Sequence, residues 1–297
     1  MPHSGQQELL ERLQDMESAR REHDRLVQDA ADFVNPFDAE ITETKSTGVD
    51  RLEDIYDTTA INARKVNVAG MYAHNVGGDR RWFELSSSSE ALKEDEDAKR
   101  YFNDITGITY NKMAESNFMM QIQSVFSDQA VVGRSVIFVL FNDLTRKLVF
   151  KVFPYVETYI AEGEDGLVNQ IFRRFSLTAM QAAEKYGENN LSADVRGMLS
   201  SRRKMDKIPF IQIVLPREDR DSRFIDAVNM PWANLTFERK TKHPVMESGF
   251  NEQPFAGVRT YKPVAAGLPV VASDGRRPGI GPGAGRPIFP GAASEVP

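Results

Sequence analysis

The sequence predicts an α+β fold, N-terminal helices followed by an antiparallel sheet, and three observations predict it. Apolar residues recur at three- and four-residue steps through the first part of the chain. After Gly133 they give way to continuous β-branched and aromatic runs broken by turn residues. From Gly257 onward no periodicity remains, and Gly, Pro, Ala and Arg dominate 275–297.

The first helix is expected over residues 6 to 34, where Leu9, Leu10, Leu13, Met16, Leu26, Val27, Ala30, Ala31 and Val34 form a stripe between charges. Asn35-Pro36 ends it. Such a stripe packs on its own domain or on a neighbouring subunit, and amphipathicity does not choose between them. A second helix starts near Asp57-Thr58-Thr59, whose oxygens suit an N-cap, and carries Ala60, Ala63, Val66 and Ala69. After Gly77-Gly78, Arg81–Leu85 reads as a short strand or an extended entry into the core, with Trp82 as its anchor. The serines 86–89 offer caps for a charged helix from Glu90 to Thr106. Another helix follows at about Tyr110 to Val132, with Met113, Phe118, Met119, Ile122, Val125 and Phe126 facing inward.

Ser135–Phe141 and Leu148–Phe153 read as a buried hairpin across Asn142–Arg146. Thr158–Ala161 and Val168–Phe175 form two further strands around the turn at Glu164-Asp165-Gly166. Ser176-Leu177-Thr178 caps a helix containing Ala179, Met180, Ala183 and Tyr186, and a last helix fits Ser192 to Ser200. Ile208–Leu215, closed by Pro216, is a strand with which Trp232–Glu238 can pair. The expected organisation is one α+β domain over 1–255 and a low-complexity, disordered tail over 256–297, which buries too little apolar surface to offset its ordering entropy.

Composition narrows the function. Of 297 residues 41% are apolar, enough for a core, and with no cysteine neither disulfides nor thiolate metal sites are available, which fits a reducing, intracellular assembly site. Residues 1–8 lack the basic and apolar regions of a signal peptide, and no stretch approaches the ~20 apolar residues that span a bilayer. The net charge of -6 opposes tight non-specific binding to phosphates.

Chemistry-bearing patterns are sparse. His3, His23, His74 and His243 are scattered, with none at the helical spacing of a zinc motif. Ser135 follows Gly133-Arg134 without the flanking glycines of a nucleophile elbow and reads as a strand start. Gly281–Arg286 lacks the Lys and the Ser or Thr of a phosphate loop. Asp95, Glu96 and Asp97 fit a solvated helix face, and Glu162, Glu164 and Asp165 fit a hairpin turn better than a calcium loop. The basic groups Arg80-Arg81, Arg173-Arg174 and Arg202-Arg203-Lys204 could meet phosphates, an acidic partner or only water, and no aromatic residues are interleaved with the last of them. No catalytic, cofactor-binding or metal-binding residue is assigned, no cofactor is implied, and nucleic-acid contacts stay unassigned.

Several phrases, taken in order, resemble the podophage head-to-tail connector, or portal protein, family. They are Tyr56–Ala60, Arg81–Leu85, Asp128–Gly133, Phe153-Pro154-Tyr155 with Tyr159–Glu162, Phe172–Ala179 and Gly249–Phe255. The resemblance implies the wing-like α+β part of a structural subunit, not an enzyme, in a ring of copies of itself that is typically a dodecamer. It further implies a place at the portal vertex of the virion after assembly in the host cytoplasm. The implied partners are a packaging terminase, scaffold or coat protein, tail proteins and double-stranded DNA that passes without sequence-specific binding, with no membrane. Members continue through stem, clip and crown segments, so the compositional change after Phe255 gives the expectation of an incomplete copy, truncated or frameshifted. The alternatives are an α+β interaction domain unrelated to capsids, or a nuclease or hydrolase, which would need convergent carboxylates or a histidine base.

Overall fold

The computed structural model describes residues 3–259 apart from 39, 43–51, 53–54, 78–80, 143, 164–165, 219, 222 and 225. The expectation of a disordered tail therefore falls, beyond residue 259, outside the described residues.

Helices come first and sheets second, as the periodicity requires. The chain opens with α1 (His3–Val34), ended by Asn35 and a 3-10 turn at Pro36–Asp38, where proline cannot supply the next helical N–H. Helix α2 (Thr59–Asn75) starts where expected, but its first turn is held from one residue further out: Asp57 Oδ1 accepts from Thr59 N at 2.9 Å and from Thr59 Oγ1 at 2.7 Å. Arg81–Leu85 is an extended entry without strand pairing, and Trp82 is 40% exposed, stacked on Phe118 at 5.8 Å rather than sunk in a core. The single helix expected from Glu90 is two, α3 (Glu90–Glu94) and α4 (Glu96–Ala114). The break falls at Asp95, whose side chain accepts from Ala98 N at 3.3 Å and so starts a new helix instead of continuing the old one. Helix α4 runs past Tyr110, and α5 (Phe118–Val132) begins only after Ser116 and Asn117.

Gly133 adopts φ 66, the left-handed conformation that closes α5 and turns the chain into β1 (Arg134–Asn142). Strand β1 pairs antiparallel with β2 (Lys147–Phe153). The hairpin is buried at its base, through Val136, Phe138, Phe150 and Phe153, whereas Phe141 and Leu144 at its tip are exposed. Strand β3 (Thr158–Glu162), β4 (Val168–Thr178), helix α6 (Ala179–Tyr186), α7 (Ala193–Leu199), β5 (Lys207–Pro216) and β6 (Trp232–Glu238) follow where the sequence puts them. Thr178 and Gln181 form a reciprocal capping box on α6, and Ser192 caps α7. Two strands were not foreseen: β7 (Pro244–Phe250) and β8 (Phe255–Arg259), whose Gly, Pro and Glu content hides any alternation.

Among the described residues the strands make two antiparallel sheets, in the orders β2-β1-β8 and β3-β4-β5-β6-β7. The return of β8 beside β1, with Phe255 opposite Phe138, ties the far end of the described chain to the hairpin. Val136, Phe138, Phe153 and Phe255 pack with Val168, Ile171 and Val214, so the two sheets share a core. On the larger sheet, Leu10 and Leu13 of α1 cover Phe172, Ile213 and Phe237, while α6 and α7 meet Phe175, Ile208 and Phe210 in a separate cluster. Each such fully buried side chain contributes about 1.5–3 kcal/mol. The stripe on α1 thus packs largely on its own domain, while Leu26 and Phe33 of the same helix stay exposed.

Candidate functional site

The apolar face of α1 is interrupted. Leu10, Leu13, Val27 and Ala31 are buried, and at the same helical spacing between them stand Glu17, Arg20 and Asp24. Arg20 Nε donates to Asp24 Oδ2 at 3.0 Å, and its Nη1 donates to the carbonyls of Thr158 at 2.5 Å and Tyr155 at 3.2 Å. The guanidinium lies over the Tyr159 ring at 3.7 Å and near the Tyr155 ring at 4.5 Å. Arg134 reaches the same Thr158 carbonyl at 2.6 Å from β1, and the Tyr155 hydroxyl donates to Asp24 Oδ1 at 2.7 Å. Burial raises the Tyr155 phenol pKa, against the opposing pull of Arg20 and Arg134. Burial lowers the His23 pKa against the opposing pull of Asp24, and Arg134 and Arg20 add to the fall. Three parts of the fold, α1, β1 and the edge of β3, are bolted together here by charge-assisted hydrogen bonds to shared carbonyls.

Those residues were not singled out from sequence. The signal that could have found them is the polar trio Glu17, Arg20 and Asp24 on the face that Leu10, Leu13, Val27 and Ala31 define.

The basic groups that could have met phosphates are largely spent within the fold. Arg173 pairs with Glu157 at 2.8 Å and covers the Phe153 ring at 3.8 Å. Arg174, on the opposite face of β4, pairs with Glu17 at 2.9 Å. Arg81 donates to Asn103 Oδ1 at 2.7 Å, and Arg80 lies outside the described residues. Arg202, Arg203 and Lys204 differ: they are exposed at one end of the five-stranded sheet, beside Lys207, Lys240 and Lys242. Met180 N donates to the Lys204 carbonyl at 3.3 Å, tying the turn before β5 to the start of α6, and Arg239 N donates to the Pro209 carbonyl at 3.0 Å, continuing the β5–β6 pairing into the turn after β6. Between the two turns opens a cleft of about 820 Å³, lined by Asp194, Met198, Arg203, Lys207, Lys240 and Thr241.

The candidate reactive groups do not converge. Ser135 is buried in β1 and its hydroxyl meets no hydrogen-bond partner, so no base reaches it. His74 ends α2 and His243 sits in the turn before β7; the side chain of His3 lies outside the described residues. Of the acidic groups, Asp95 caps α4, Glu96 pairs with Lys99 at 2.8 Å, and Glu164 and Asp165 lie outside the described residues. Among the described residues no group of three His, Asp or Glu side chains could hold a metal ion, and no helix is long and apolar enough to cross a membrane. One perturbed acid was missed by sequence reading: Asp128, which burial and then the charge of Asp38 push up to about 7. Its α5 position next to Asn35, Asp38 and Val132 explains the shift, and nothing in its local sequence announces it.

The fold is an α+β body whose buried and half-buried arginines tie its elements together and whose surface presents exposed apolar and charged patches, the make-up of a structural class of protein. The chain belongs to the bacteriophage head to tail connecting protein family, which it matches over residues 6–262. It is 27% identical over 196 residues to a "Probable portal protein" of Bordetella phage BPP-1, covering 66% of this chain and 35% of that protein. It is 24% identical over 264 residues to a "Portal protein" of Salmonella phage epsilon15, covering 87% of this chain and 47% of that protein. The chain therefore spans less than half the length of either relative.

Proposed function

We propose that this chain is a structural subunit of a phage portal, the ring at one capsid vertex through which double-stranded DNA is packaged and ejected, and that it carries the wing-like body of that subunit. The observation that carries the reading is the family match over 6–262, which takes in every helix and strand from α2 onward and nearly all of α1. Scaffold, coat, terminase and tail proteins are the partners of such a ring, and the virion is its place. A ring needs heterologous contact between two different surfaces of one chain. The exposed Leu26, Phe33, Phe37, Tyr56 and Val66 on and between α1 and α2 suit such contact.

The reading assigns no catalytic, cofactor or metal role to any residue. Two features support it: the scattered histidines and the arginines committed to internal carboxylates. An acidic total charge of -6 suits a conduit that must pass a polyanion without gripping it. The test is electron microscopy of the purified chain: rings with rotational symmetry are expected, and particles of single-subunit size at every concentration would refute the reading. Incubation with Mg²⁺ and duplex DNA should leave the DNA intact, and turnover would contradict the structural role.

A further inference from the structure

We infer that the basic end of the five-stranded sheet docks on the acidic α3–α4 corner of a second copy of this chain. The inference rests on the ring reading and adds the two surfaces that meet.

The basic surface has the make-up of an interface. Met180 and Met205 are 50% and 67% exposed, an apolar pair adjoining Lys204. Around them stand Arg202, Arg203, Lys204, Lys207, Lys240 and Lys242, all exposed. Arg203 is tied to Asp206 at 2.7 Å, while Lys204, Lys207, Lys240 and Lys242 hold no ion pair among the described residues. On a chain of net charge -6 this concentration of cations is a local reversal of sign, and an exposed methionine pair beside it adds adaptable apolar area.

The counterpart is on the same chain. Helices α3 and α4 expose Glu90, Glu94, Asp95, Glu96 and Asp97, and with them Leu92 at 48% and Tyr101 at 61%. Glu90 and Glu96 lean on Lys93 and Lys99 at 2.6 and 2.8 Å, whereas Glu94 and Asp97 hold no ion pair among the described residues. The basic end sets six cations against Asp194 and Asp206, and the α3–α4 corner sets five carboxylates against Lys93, Lys99 and Arg100, so the two surfaces are of opposite net sign and each exposes apolar side chains. They share no element. The basic end packs on the α6–α7 cluster, and α4 packs on α5 and β2, so contact between two copies is head to tail and leaves a second pair of surfaces open for the next copy.

The test is a charge swap in the full chain, read by sedimentation velocity at low ionic strength. Lys204→Glu with Lys240→Glu should weaken self-association on the order of tenfold, as should Glu94→Lys with Asp97→Lys. An equimolar mixture of the two variants should restore it, which also shows both are folded. If the wild type associates and each variant associates equally well, the docking inference fails and the ring reading stands. If the wild type stays monomeric, the ring reading falls and the inference with it. If the lysine variant loses only binding to a duplex DNA oligonucleotide and keeps wild-type self-association, the basic end is a DNA surface and the inference is overturned.

Discussion

Asn117 stands beside Phe150 as a neighbouring strand would: its Nδ2 donates to the Phe150 carbonyl at 2.7 Å and its Oδ1 accepts the Phe150 N–H at 2.8 Å. One turn on, Gln121 Oε1 accepts from Val152 N at 2.9 Å. Strand β2 is an edge of its sheet, and an open edge is a template for pairing with another chain. Helix α5 closes it with two amide side chains. At the β3 edge of the other sheet Arg20 and Arg134 do the same for the Thr158 carbonyl. Side chains thus take backbone groups that a further strand would otherwise pair with, at Phe150 and Val152 of β2 and at Thr158 of β3.

Asn117→Leu should destabilise the fold by about 2–3 kcal/mol, since it strands both backbone groups of Phe150 at a half-buried edge. The measurement is the urea midpoint, which should fall with the slope unchanged. Light scattering during refolding should rise as well, because the β2 edge is then open.

Arg20→Met keeps the apolar stem and removes the fork that joins Asp24, Tyr155 and Thr158. A loss of about 2–4 kcal/mol is expected, because the Asp24 carboxylate and the Thr158 carbonyl lose charge-assisted partners. Arg20→Lys should recover less than half, since an ammonium cannot serve both carbonyls and stack on Tyr159.

Asp128 makes stability depend on pH. Its folded-state pKa, about 7, stands above the ordinary 3.8, so the folded chain holds a proton that the unfolded chain releases. The contribution is complete below pH 3.8 and is lost as pH rises through about 7, to a total of roughly 2–4 kcal/mol. Asp128→Asn should flatten the fall in unfolding free energy between about pH 4 and pH 7 by that amount, read from urea midpoints across that range.

Gly249 lies under the loop that follows β5. A Cβ there would stand 2.6 Å from Met230 Cβ, 2.8 Å from the Ala227 carbonyl and 3.0 Å from the Trp232 carbonyl. Since two of those atoms are backbone, Gly249→Ala should cost about 1–3 kcal/mol, seen as a lowered melting temperature.

Legibility from sequence followed the range of the interactions. Helices α1, α2, α6 and α7 and the strands β1 to β6 were readable because periodicity and local caps such as Thr178 specify them. The break at Asp95 was hidden because a capping aspartate looks like one more charge in a charged helix. Strands β7 and β8 were hidden because Gly249 and Pro254 answer to neighbours far away in sequence. Periodicity puts Asn117 inside a helix from about Tyr110 to Val132, yet it stands before α5 and its side chain serves Phe150, 33 residues on. The ordered phrases from Tyr56 to Phe255 carried the family, which no single site residue could have done.

Mass photometry of the purified chain across a dilution series tests the central claim most directly. A subunit of 33.4 kDa that builds rings should yield one discrete species at a whole-number multiple of that mass, giving way to monomer on dilution. A peak at 33.4 kDa alone, unchanged at the highest concentration, would contradict the account.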